Sequence, residues 1–417
     1  MNRRRFLTLL AGSSAGVAGG GYLIGRRGGS DLDAAAGNPA PSTLGGSADP
    51  DPSRRLLVVI EMPGGNDGLS MVVPFGDTAY PRLRSATLVD PSKVLALDDR
   101  VGLHPNLRRI HERGVAVVQG VGTPNPDLSH FAMLDRWWTG DTTGDAVPGT
   151  GFLGRLCDAV GSPDAACVGL SIGAGPSRAL IAARTTTLAL PDLDAAQVLA
   201  PSEDDTQLSA FRSGFAAMME PTADDEFAAA RRGGRDALSF AALARSAAET
   251  GADDSYPGFD LASRLQLAAR VLAADVGVRV VHTAFGDFDT HDGHVDRYPT
   301  LMDELDQSID AFVSDLEGAG LADRVLIMTI SEFGRRARDN GSAGLDHGAA
   351  SAAVLVGPVR SGLYGEYPSL TKLDDDDNLR ATVRLDEYYA TIAERWFDVP
   401  ASDVLAGAPR PLDVALA

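Results

Sequence analysis

Leu56-Leu57-Val58-Val59-Ile60-Glu61 runs directly into Met62-Pro63-Gly64-Gly65-Asn66-Asp67-Gly68. A short unbroken apolar run that stops at a glycine-rich turn reads as a strand buried on both faces. The same pattern recurs at Val115–Gly120, Val278–Phe285, Val325–Ile330 and Ala352–Val356. Between these runs lie segments with helical spacing, Phe211–Met219, Asp225–Glu249, Leu261–Ala274, Leu301–Leu316 and Glu387–Trp396. Buried strands alternating with helices predict an α/β fold, with a parallel or mixed sheet covered on both faces. In such sheets ligands bind beyond the carboxyl ends of the strands, so the residues just after each strand carry the chemistry.

Composition narrows the function. The 417 residues include 37 Lys plus Arg against 57 Asp plus Glu, a net charge of −20. Phosphate backbones are bound by clustered cations, so this balance argues against a nucleic-acid partner. Hydrophobic residues at 44% and charged residues at 23% exclude a disordered or fibrous chain over most of the length.

The chain starts Met1-Asn2-Arg3-Arg4-Arg5-Phe6-Leu7, adjacent arginines ahead of an apolar run to about Gly25. This is the arrangement of a twin-arginine export signal. Glycines at 12, 16, 19, 20 and 21 dilute the run, which argues against a membrane anchor, although Arg26-Arg27 behind it keeps that alternative open. Ala34-Ala35-Ala36 offers a cleavage site. The expected organisation is a signal over 1–36, a Pro/Gly/Ser linker over 37–53 and a single domain over 54–417. An Ala/Asp-rich helical insertion around 192–258 is expected to cover the site. The twin-arginine translocase is the expected partner during export, with no stable membrane insertion after cleavage. Cys157 and Cys167 lack the spacing of a zinc or redox centre and read as one structural bridge or two buried thiols. The acidic run Asp374–Asp377 reads as a solvated loop.

The strand ends are rich in donors. The first turn presents Asp67, and no Gly-x-Gly-x-x-Gly or Gly-Lys-Ser/Thr accompanies it, so nucleotide-loop readings fail. After Val115–Gly120 the chain reaches Ser129-His130-Phe131 at the start of an expected helix. Ser129 is either a hydroxyl nucleophile at the positive helix end or an ordinary N-cap. His130 is either a ligand or a packed helix residue. Phe285 leads into Gly286-Asp287-Phe288-Asp289-Thr290-His291-Asp292-Gly293-His294, a dense set of carboxylates and imidazoles suited to zinc or a similar ion. Ser331-Glu332-Phe333-Gly334-Arg335 and Leu345-Asp346-His347-Gly348 add further donors and an arginine fit to clamp an anion. A plain ion pair between Glu332 and Arg335 is the ordinary alternative. A paired-carboxylate glycosidase is a weak reading, because nothing in the sequence predicts the separation that chemistry needs.

These residues resemble a known bacterial family, the domain of unknown function 1501. The resemblance is carried by Gly64–Gly68, Leu103-His104-Pro105, Ser129-His130-Phe131, Phe288–His291, Ser331–Arg335 and Asp346-His347-Gly348. Leu355–Pro358, Gly362–Gly365 and the ending around Tyr388–Trp396 extend it over nearly the whole mature chain. That family is placed in the alkaline-phosphatase-like superfamily, with sulfatases and cofactor-independent phosphoglycerate mutases. The resemblance implies a three-layer α/β/α sandwich with a mostly parallel sheet and a divalent-metal centre for phosphate- or sulfate-ester hydrolysis. It assigns Asp67 to one metal and Asp289 with His291 to the other, Asp287 competing with Asp289. Glu332, Asp346 and His347 complete the expected ligands, Ser129 is the nucleophile and Arg335 a charge-stabilising residue. Zinc is the expected ion, with manganese or calcium as alternatives. Phe333 stands where a histidine ligand is expected, and Asp346 or His130 is the available replacement. A catalytically degenerate binding or cell-envelope assembly protein is the alternative function.

Overall fold

Strand β1 (Leu56–Glu61) shows why the molecule is layered. Leu56, Val58 and Ile60 join one buried cluster, and Leu57 and Val59 join a second on the opposite face. Side chains alternate along a strand, so a β-branched run without polar interruption feeds two cores at once. Each fully buried Val, Leu or Ile contributes about 1.5–3 kcal/mol relative to exposure. The computed structural model describes residues 54–142, 149–162, 165–173, 175–191, 205–220, 227–249 and 255–416. The signal and linker expected over 1–53 lie outside the described residues.

Eight further strands join β1: β2 (Ala116–Gly122), β3 (Gly169–Ile172), β4 (Thr187–Leu190), β5 (Val280–Ala284), β6 (Val325–Ile330), β7 (Ala350–Val356), β8 (Gly362–Tyr364) and β9 (Val383–Arg384). Their order is β8-β2-β7-β6-β1-β5-β3-β4, with β9 also against β2. Only β7 runs against its neighbours; every other described pairing in this sheet is parallel. The sheet is therefore mostly parallel, as the family resemblance implies and within the parallel or mixed sheet that the strand pattern predicts. β3 and β4 are four residues each, too short to stand out in the sequence as strands.

Helices α1 (Gly68–Met71), α2 (His130–Thr139), α3 (Phe152–Val160), α4 (Asp205–Met218), α5 (Ala228–Glu249), α6 (Asp260–Ala273), α7 (His294–Gly318) and α8 (Leu385–Thr391) surround the sheet. α6 and α7 pack their apolar stripes with Phe240 of α5 on one face. α2, α3 and α8 cover the other, giving three α/β/α layers. α7 begins seven residues before the expected Leu301 because Pro299 is accommodated inside its early turns. The expected insertion over 192–258 is partly visible as α4 and α5; 192–204, 221–226 and 250–254 lie outside the described residues. Among the described residues no helix is long and apolar enough to cross a membrane. Cys157 and Cys167 are free, buried thiols, packed in the two apolar clusters on either side of the sheet.

The sheet direction gathers the loops. β1, β5 and β6 end side by side and deliver residues 62–68, 285–293 and 331–335 to one edge. Because β7 runs the other way, the residues just before it, Asp346 and His347, arrive at that same edge. They enter through a two-residue antiparallel ribbon in which Arg335 faces His347.

Candidate metal centre

The turn after β1 is tight because two glycines adopt positive φ, +108° at Gly64 and +87° at Gly65. A Cβ on Gly64 would sit 2.4 Å from the Asp289 nitrogen, and one on Gly65 would sit 2.5 Å from the Phe333 ring. Only glycine lets the three loops meet here. Arg335, wholly buried, ties them: Nε donates to Gly65 O at 2.9 Å, Nη1 to Leu345 O at 2.8 Å, and Nη2 to Phe288 O at 3.1 Å and Asp289 Oδ1 at 2.6 Å. Nη2 also donates to Gly64 O. Arg335, expected to hold an anionic substrate, directs all three of its guanidinium nitrogens at protein acceptors. It pairs with Asp289, not Glu332, and fixes the loop geometry.

Three imidazoles converge on Asp289. His347 Nδ1 donates to Leu128 O at 2.8 Å, His130 Nδ1 to Glu332 Oε1 at 2.8 Å, and His291 Nδ1 to Asp346 Oδ1 at 3.2 Å. A carbonyl and two carboxylates only accept, so each Nδ1 carries a proton, and in the neutral ring each Nε2 then presents a lone pair. His291 Nε2 and His347 Nε2 face each other at 3.0 Å, and each lies 3.2 Å from Asp289 Oδ1. His130 Nε2 lies 3.7 Å from Asp289 Oδ2. Among the described residues, His130, Asp289 and His347 present donor atoms all within 4.8 Å of one another. Lone pairs opposed at 3.0 Å repel unless a cation lies against them. Burial, with Arg335 and His130 nearby, pushes the His347 imidazole below its usual pKa. The Asp289 carboxyl is held low despite partial burial, by the Arg335 hydrogen bond and charge. The near-equilateral N, N, O triangle matches the face of a tetrahedron, whose edges are about 3.3 Å for zinc bonds of about 2.0–2.1 Å. These residues fit a divalent ion.

The expected ligands thus divide. Asp289, His291 and His347 converge, and His130 supplies the third imidazole that Phe333 cannot; the Phe333 ring packs 4.9 Å from His130 and 4.6 Å from His347. Glu332 and Asp346, expected as ligands, lie instead at the Nδ1 atoms of His130 and His291, on the side of each ring away from Asp289. Glu332 is also held by the Gly64 amide at 2.8 Å. Asn340 and His291 hold Asp346 below the usual carboxyl range. Asp287, the competing carboxylate, turns outward to Arg297 at 3.0 Å. Ser129 stands at the N-cap of α2, exposed, and its side chain does not cap the helix. Sequence reasoning left His130 open; the signal was a phenylalanine at 333 where a histidine is expected.

Asp67, expected to hold the other metal, stands apart from this cluster. It lies in a separate buried network, bound by Arg84 through two bonds of 2.7 Å, with His294 Nε2 3.4 Å away. Burial alone would raise its pKa, but Arg84 and His294 pull it far below the carboxylate range. Arg84 carried no local sequence signal. His104 lies beyond His294, its ring edge-on to Tyr298 at 5.9 Å. Burial, reinforced by His294, lowers its pKa to about 4 from 6.5. A depressed histidine favours the fold above its unfolded pKa and loses that contribution as pH falls from 6.5 towards 4, up to about 3 kcal/mol. His104→Gln is expected to flatten the fall in urea stability across that window by about one proton; an unchanged slope would contradict this.

No curated protein matches the sequence. Among solved structures, the PsFucS1 sulfatase from Pseudoalteromonas sp. is 11% identical with a TM-score of 0.37, over 86% of this chain and 71% of that one. The C-terminal periplasmic domain of EcEptC from Escherichia coli is 10% identical at a TM-score of 0.35, over 82% of each. The alkaline phosphatase from the Antarctic bacterium TAB5 is 12% identical at 0.31, over 74% and 94%. These likenesses are distant, and the chemistry is read from this chain's own residues. A family match is different in kind, since it spans residues 111–393, more than half of the chain and every residue of the three-imidazole cluster. The chain belongs to the family described as protein of unknown function DUF1501.

Proposed function

We propose that this protein is an exported, metal-dependent hydrolase of phosphate or sulfate esters. The observation that carries the reading is the convergence of His291 Nε2, His347 Nε2 and Asp289 Oδ1 at 3.0–3.2 Å, with His130 beside them. Zinc is the expected ion on this donor set, and manganese or calcium are alternatives. A divalent ion held there polarises an ester oxygen and makes a hydroxyl acidic enough to attack at neutral pH.

The chain's own residues do the rest. Leu128 O locks the His347 tautomer and Glu332 locks that of His130. Ser129 lies between Leu128 and His130 in sequence, so its exposed hydroxyl is carried at the edge of the cluster as the nucleophile. The first intrahelical bond of α2 runs from Met133 N–H to Ser129 O at 3.0 Å. The amides of His130, Phe131 and Ala132 precede it and point along the positive helix end, placed to receive an anionic oxygen. The substrate is a small-molecule or polymer ester. Export rests on the Arg3–Leu7 segment, with the twin-arginine translocase as partner.

A second reading, a non-catalytic binding or cell-envelope assembly protein, is favoured by one observation: Arg335, the expected anion clamp, is withdrawn into the protein. The test is turnover of nitrophenyl phosphate, bis-nitrophenyl phosphate and nitrophenyl sulfate by zinc-loaded and metal-stripped protein. Loaded protein is expected to hydrolyse at least one ester, and Ser129→Ala to lose at least about a thousandfold in kcat while keeping its zinc. Zinc-loaded protein inert on all three favours the second reading; full activity in Ser129→Ala removes Ser129 as nucleophile.

A further inference from the structure

The resemblance assigns Asp67 to a second metal ion, and its surroundings do not fit one. Oδ1 accepts from Arg84 Nη2 at 2.7 Å and from the Leu69 amide at 3.3 Å. Oδ2 accepts from Arg84 Nη1 at 2.7 Å and lies 3.4 Å from His294 Nε2. A carboxylate offers about four lone-pair sites, so each is taken. His294 is itself engaged, by Thr290 Oγ1 at 2.8 Å and Ser70 Oγ at 3.2 Å. The guanidinium is anchored in turn, Nε to Ala337 O at 2.8 Å and Nη2 to Arg336 O at 3.0 Å. The Arg84 and Asp67 side chains are 0% and 1% exposed.

We infer that the chain holds a single divalent ion, and that Arg84 occupies the coordination sphere of Asp67 in place of a second. This rests on the metal centre proposed above. Arg84 is a fixed buried charge that neither exchanges nor reaches substrate. The clamp that two metal ions place on the attacking and leaving oxygens is therefore absent from this chain. Ester chemistry here uses one ion together with groups at its own loop edge.

The test is zinc content by mass spectrometry, after metal-stripped full-length protein is loaded with zinc and freed of excess by gel filtration. Wild type is expected to carry one zinc per chain, Asp67→Asn also one, and His347→Ala none. Asp67→Asn leaves a buried guanidinium without its partner, so Asp67→Leu/Arg84→Met, which removes both charges together, is measured beside it; it too is expected to carry one. Two zinc ions in wild type with one lost in either Asp67 variant would overturn this inference and leave the three-histidine centre standing. Wild type that takes up no zinc would overturn that centre and the single-ion count with it.

Discussion

Alanine at His347 is expected to abolish zinc binding and, with it, ester turnover. His347 is held at Nδ1, which donates to Leu128 O at 2.8 Å, and aims Nε2 at the cluster, 3.2 Å from Asp289 Oδ1. Its removal takes one vertex from the N, N, O triangle and leaves His291 Nε2 and the carboxylate with only the more distant His130, 3.7 Å from Asp289 Oδ2. Glu332→Gln is the graded contrast. It keeps the shape but removes the anionic partner of His130 Nδ1, so affinity should fall about 10–100-fold, as for other outer partners of metal-bound histidines. Competition with a chelating dye measures both. Zinc affinity in His347→Ala equal to wild type would show that the triangle is a hydrogen-bonded cluster and nothing more.

Arg84→Met carries the largest expected effect on stability. It strands the Asp67 carboxylate in a site 1% exposed, with only the Leu69 amide and His294 left to oppose its charge. Breaking a buried ion pair by removing one partner costs about 3–5 kcal/mol. Asp67→Leu in the same chain should recover most of that, because replacing both members by apolar groups removes the unpaired charge along with the pair. Urea unfolding at pH 7 reads both values. A single variant within about 1 kcal/mol of wild type would mean that water or rearrangement reaches Asp67, and that the network is less closed than its geometry.

Much of the fold was readable in the chain. β1 and β6 coincide with the apolar runs Leu56–Glu61 and Val325–Ile330, because a strand buried on both faces leaves a local mark of continuous apolar residues. β3 and β4 left no such mark; four residues beside other elements lack the length to show a period. The donor-rich strand ends were readable for the same reason, since each loop comes directly after its strand in sequence.

The sequence by itself determined the α/β class and the strand ends that carry donors, the loop of Asp287, Asp289 and His291 and the segment of Asp346 and His347 among them. All of these rest on residue type and short-range order. Tertiary structure alone decided which atoms meet. Glu332 reaches His130 across 202 residues of chain and turns it into a donor, while Arg84 folds back 17 residues to close Asp67. A carboxylate beside an imidazole Nδ1 orients the ring, a carboxylate beside a guanidinium is neutralised, and a carboxylate facing imidazole Nε2 atoms is placed where a cation would fit. Which of these a given Asp or Glu becomes depends on the partner brought to within about 3 Å of it, and only the packed chain sets that partner.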